Sequence, residues 1–128
     1  KEVLTTDDPV VDKGLVPHKG IQYADLDPKQ QKMLLRLVNA YLGRFRPELL
    51  KGTRYLGNLR DGDHLYFAWS GGQARGQFHY YRIQSKVFLI EFANTQNDAN
   101  HVHAVFREFD GDFGRDLLKE HYSKQHQK

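Results

Sequence analysis

Three histidines and one carboxylate are the residues of this chain best placed by type and spacing to do chemistry. His101 and His103 are separated by one residue, and in a strand both would face the same way, about 6.6–7 Å apart along the chain. Imidazole nitrogens so placed can converge on one zinc-type ion with bonds of about 2.0–2.1 Å. His79 and Glu91 lie in two neighbouring strand-like runs. If the turn between those runs centres on Ser85, His79 stands opposite Glu91. If the loop NTQNDAN closes on Asn97, Glu91 stands opposite His103. The predicted result is a row of His79, Glu91 and His103 across three strands, with His101 beside it. Two histidines and a carboxylate with open positions serve either zinc hydrolysis or a non-haem iron site. The metal would lower the pKa of its water, and Glu91 would be a ligand or the base that takes the proton.

Glu91 also interrupts the apolar run VFLIEFA, where an unpaired carboxylate would be costly to bury. Arg82 and Arg107 are the cations nearest in this pattern. Either one clamps an anionic substrate or orients Glu91, and a plain salt bridge is the structural alternative. Tyr66, Tyr81, Trp69 and Tyr80 offer a ring-stacking platform for a sugar, although core packing accounts better for Trp69 and Tyr80. His121 could approach the sheet from a last helix. The same histidines also fit a bland reading, since seven in one chain make a His-x-His pair unsurprising and a Glu beside His can be a cross-strand polar pair. GGQARG (71–76) fits no phosphate-loop pattern, and no G-x-S-x-G, H-E-x-x-H or cysteine motif is present. Nucleophilic catalysis has no support.

The elements that must position these residues are four strand-like runs: HLYFAWS (64–70), QFHYYRI (77–83), VFLIEFA (87–93) and HVHAVFRE (101–108). Aromatic and β-branched residues fill them, and Gly, Asn, Gln and Ser bound them. Alternation predicts a core face of Leu65, Phe67, Trp69, Phe78, Tyr80, Phe88, Ile90, Phe92, Val102, Ala104 and Phe106. The other face carries His79, Tyr81, Glu91, His101, His103 and Arg107. A one-residue slip would reverse any strand. Before the sheet, Asp27-Pro28 with Gln30 opens a helix over about 28–44, with apolar residues at three- and four-residue spacing. A second helical piece is expected over about 47–59 and a last helix over about 113–124. Residues 1–26 read as an extended lead-in. The expected fold is α+β: a four-stranded antiparallel sheet over about 64–108 with helices packed on it, in a single domain spanning 1–128.

With 128 residues, the chain has room for one core. Mean hydropathy is low at −0.72, but 16 aromatic residues supply large buried surfaces. The net charge of +3 is spread evenly: residues 1–63 hold 11 Lys/Arg against 9 Asp/Glu, and residues 64–128 hold 8 against 7. No basic stripe emerges, so no nucleic-acid partner is expected. No run approaches the ~20 apolar residues that would span a membrane. The absence of cysteine rules out disulfide and thiolate chemistry.

Five pieces, LYFAWSGG (65–72), FHYYRIQS (78–85), FLIEFANTQN (88–97), NHVHAVFRE (100–108) and DGDFGRDLLKEHY (110–122), resemble the family known as domain of unknown function 3500. The weaker stretch 18–41 extends the likeness. The resemblance is to the C-terminal part of longer members, which implies either a missing N-terminal portion or a shorter relative, and leans toward an extracytoplasmic location. The family's recurring features would fall on Trp69, Tyr81, Arg82, Glu91, His101, His103, Arg107, Asp112, Gly114, His121 and Tyr122. The family implies no activity. From the residues, the expectation is a metal-assisted enzyme of zinc-hydrolase type, with Glu91 catalytic, His79, His101 and His103 as ligands, and Arg82, Arg107, Tyr81 and Tyr66 toward substrate. The alternatives are a non-catalytic module that binds a carbohydrate or a protein, and an oxidative iron or copper site on the same ligands.

Overall fold

The computed structural model describes residues 20–47 and 64–109. Within them the order is β1 (Ile21–Gln22), α1 (Pro28–Leu42), β2 (Tyr66–Gly71), β3 (His79–Gln84), β4 (Phe88–Gln96) and β5 (His101–Glu108). A 3₁₀ turn at Tyr23–Asp25 precedes the helix. All five strands join one antiparallel sheet in sequence order. The fold is α+β, but the sheet has five strands where four were expected. The addition, β1, comes from the predicted lead-in and pairs Ile21 with Phe67 and Gln22 with Tyr66. Two residues are too few to display alternation, so its pairing partner makes it a strand. The expected helix over about 47–59 falls outside the described residues from 48 onward, as does all of the one over about 113–124.

Capping chemistry starts α1 where the sequence places it. Asp27 accepts a hydrogen bond from the Gln30 backbone at 2.9 Å, while the Gln30 side chain accepts from the Asp27 backbone at 3.0 Å. Pro28 occupies the first turn, where a missing N–H does no harm. Gln31 ties the lead-in down by donating to the carbonyls of Tyr23 and Leu26. The helix buries Leu34, Val38, Tyr41 and Leu42 against Leu65, Tyr81, Ile83, Val87, Phe88 and Ile90 of the sheet. Met33, on the same predicted stripe, stays 60% exposed.

Two hairpins set the register. The β3–β4 hairpin turns through Lys86-Val87: the Ser85 N–H donates to the Phe88 carbonyl at 2.9 Å. The Ser85 hydroxyl oxygen accepts from the Val87 and Phe88 N–H groups at 3.1 and 3.0 Å. Serine therefore begins the turn rather than centring it. Arg82, not His79, faces Glu91. That displacement of three residues is odd, so it reverses the two faces of β3 relative to expectation. In the second hairpin β4 runs on to Gln96, and Asn97, Asp98 and Ala99 take positive φ in the turn. An irregularity between Ala93 and Gln96 brings His103 opposite Ala93 and Val105 opposite Glu91. This shift is even, so β5 keeps its predicted faces.

Every residue of β3 from Tyr80 to Gln84 is buried, so the central strands are covered on both sides. Leu89 and Phe109 form a small second apolar cluster on the side away from α1. At the β2–β3 turn, Gly71 has φ +100° and a Cβ there would collide with the Phe78 carbonyl oxygen. Glycine lets the chain close this turn, with Gly72 N–H donating to that same oxygen at 2.8 Å.

Candidate functional site

The side of the sheet away from α1 holds a closed polar group. Tyr80 and Arg82 are two residues apart on β3 and share that face, and Glu91 faces Arg82 from β4. The Tyr80 hydroxyl donates to Glu91 Oε1 at 2.6 Å. Arg82 donates to the same oxygen from Nη2 at 2.9 Å and from Nε at 3.3 Å, and from Nε to the Tyr80 hydroxyl at 3.0 Å. All three residues are buried, Glu91 completely. Burial, then the hydrogen bond to Glu91, pushes the Tyr80 phenol well above its ordinary range, so it stays a neutral donor. Burial works against the Arg82 charge, but Tyr80 and Glu91 together outweigh it and the guanidinium is held more firmly protonated. The carboxylate that had to find a partner has found an arginine and a tyrosine.

This arrangement separates the predicted metal ligands. His79 lies on the α1 side of the sheet, whereas Glu91, His101 and His103 lie on the other. The expected row of His79, Glu91 and His103 does not form, because the Ser85 turn displaces β3 by an odd number of residues. His101 and His103 do stay together, both exposed, with ring centroids 4.5 Å apart and a tilt of 44°. Among the described residues no group of three or more His, Asp or Glu is arranged to hold a metal ion. Arg107 is half-buried opposite Leu89, and Tyr66 is half-buried opposite Gln84, both on the His101 side. Tyr81, expected on the site face, is instead buried under α1. Its hydroxyl is 2.7 Å from that of Tyr41, and burial, then this bond, raises its pKa. His121 lies outside the described residues.

On the α1 side, the helix covers one end of the sheet and leaves the other, toward the β2–β3 and β4–β5 turns, open. Trp69, expected in the core, is 42% exposed there, and Val102 is exposed with it. Alternation is a statement about faces and says nothing about how far along a strand the helix reaches. Rings from adjacent strands stand parallel in a stack. Trp69 and His79 are 4.8 Å apart with planes within 4°, and His79 and Phe92 are 5.2 Å apart at 17°. Tyr81 extends the array, 5.1 Å from Phe92 at 5° and 6.2 Å from Trp69 at 11°. The Trp69 indole N–H donates to the Gly71 carbonyl at 3.3 Å, which fixes the ring's rotation.

His79 is held equally firmly. Its backbone N–H donates to Asn94 Oδ1 at 2.6 Å, and the Asn94 amide donates to the Gln77 carbonyl at 3.1 Å. The His79 ring nitrogen Nδ1 lies 3.0 Å from that carbonyl, which can accept but not donate, so Nδ1 carries the hydrogen. No periodicity marks Asn94, which falls at the start of the expected loop NTQNDAN. A buried amide at the end of a strand, with four hydrogen-bonding positions to satisfy, is the physical reason it matters here.

Fold and site together define an α+β domain: a helix on one face of an antiparallel sheet, with an ordered array of rings at the end the helix leaves open. The chain belongs to the family described as protein of unknown function (DUF3500), whose model matches residues 3–115. No curated protein and no solved structure matches it.

Proposed function

We propose that this chain is a non-catalytic carbohydrate-binding module that uses the ring array at the open end of the sheet. The observation that carries the reading is Trp69: a large ring, 42% exposed, locked by parallel stacking on His79 and by its bond to Gly71. An indole face is electron-rich, and the C–H groups on one face of a pyranose are its natural counterpart. A ring already fixed in place loses little freedom when a ligand stacks on it. The side chains that accompany it on this face, His79, Phe92, Val102 and Ala104, are rings and aliphatic groups. That composition favours a neutral ring over an ionic ligand. The hydrolase reading draws less support, because Glu91 is engaged by Arg82 and Tyr80 and lies across the sheet from His79.

Trp69 is the sole tryptophan of the chain, so its fluorescence reports directly on the surface in question. Titration with neutral oligosaccharides should change that emission saturably. Trp69→Ala should weaken binding about thirtyfold or more, as loss of a central aromatic anchor does, when followed by calorimetry. The variant should stay folded, losing about 1–2 kcal/mol against the 3–5 expected for a core ring such as Phe88. Failure of a broad glycan panel to bind, or binding indifferent to Trp69→Ala, would sink the proposal.

A further inference from the structure

We propose that His101 and His103 form a binding site for a copper-type divalent ion, on the opposite face of the sheet from the ring array. The two imidazoles sit at i and i+2 on β5 and are both exposed, so an ion and the water completing its coordination can reach them. Their spacing is informative. A metal–nitrogen bond of about 2.0–2.1 Å, plus about 1.1 Å from nitrogen to ring centre, puts each centroid roughly 3.2 Å from the ion. Two such rings sharing one ion therefore have centroids within about 6.4 Å of each other. The observed separation is 4.5 Å.

Imidazole suits copper, nickel and zinc alike, and copper(II) forms the strongest complexes of the three. The rings are also supported. The strand that carries them is paired to β4, with Gln96 opposite His101 and Ala93 opposite His103, and the intervening turn is tightly wound through Asn97, Asp98 and Ala99. The ion needs neither Glu91 nor His79, and the site stands or falls independently of carbohydrate binding.

The test is copper(II) titration of the full chain by calorimetry and electron paramagnetic resonance. One equivalent should bind with hyperfine structure from two imidazole nitrogens. His101→Ala and His103→Ala should each weaken binding by about 100-fold or more, since a chelate becomes a single contact. His79→Ala should leave copper binding unchanged, which separates this pair from the histidine of the ring array. Equal copper affinity in the His101→Ala/His103→Ala double variant, with its circular dichroism unaltered, would overturn the site. Tighter binding of zinc than of copper would overturn the assignment to copper.

Discussion

Glu91 lies in the middle of an apolar strand, and Arg82 decides what it does there. The pair is 2.9 Å apart at its closest and is shielded from water, so either charge left alone would be stranded. Glu91→Ala should therefore destabilise the fold by about 3–5 kcal/mol in urea or guanidinium denaturation, more than a surface ion pair could account for. Replacing both partners with apolar residues, Arg82→Met with Glu91→Leu, should recover most of that loss, because no buried charge then remains. If Glu91→Ala costs no more than an exposed pair, the network is not structural, and a catalytic role for the carboxylate regains interest. The demand for a partner was legible in VFLIEFA; which of two arginines met it was not.

At the scale of elements, the β3–β4 hairpin is where sequence and structure part. Alternation assigns β2, β4 and β5 to their correct faces, because Phe67, Ile90 and Phe106 pack beneath α1. It cannot say where a turn begins. Centring the turn on Ser85 or starting it there differs by three residues in pairing, and the hydroxyl oxygen that captures the Val87 and Phe88 amides selects the second. Ser85→Ala removes that acceptor from a buried turn and should cost about 1–2 kcal/mol. Ser85→Thr, which retains the hydroxyl, should cost less. Equal losses in the two variants would show that backbone pairing alone sets the register. α1, by contrast, was readable because its signals are local: a capping box, a proline in the first turn and an apolar stripe within one stretch of chain.

For the molecule as a whole, Tyr80 and Tyr81 bring both faces of the sheet into one pH response. Burial raises both phenols in the folded state above the value of about 10 that they have in the unfolded chain. A group whose folded pKa is raised contributes stability that is fully present below the unfolded value and is lost as pH climbs toward the folded one. Unfolding free energy should thus show no tyrosine-linked change up to about pH 10, then fall by up to about 1.4 kcal/mol per pH unit for each tyrosine. Denaturant titrations at pH 8 and pH 11 should reveal the decline, and Tyr81→Phe should remove its share of it. An unchanged slope in that variant would mean its phenol is not protected.

The sequence by itself determined the class of fold, the position of α1, the approximate location of the main strands, the family, and the two-sidedness of the sheet. The family rests on the resemblance of whole stretches of sequence; the rest follow from propensity, capping and period, which act over a few residues. Tertiary structure decided which side chains meet. It added β1 by pairing, turned β3 over through one hydroxyl, and set Arg82 against Glu91 in place of His79. It also left Trp69 42% exposed, two residues along β2 from the Phe67 that α1 covers. Contacts across strands depend on the summed geometry of turns, so a displacement too small to alter any local pattern reassigns every partner. A candidate site that spans three strands is correspondingly the feature a linear reading is least able to fix.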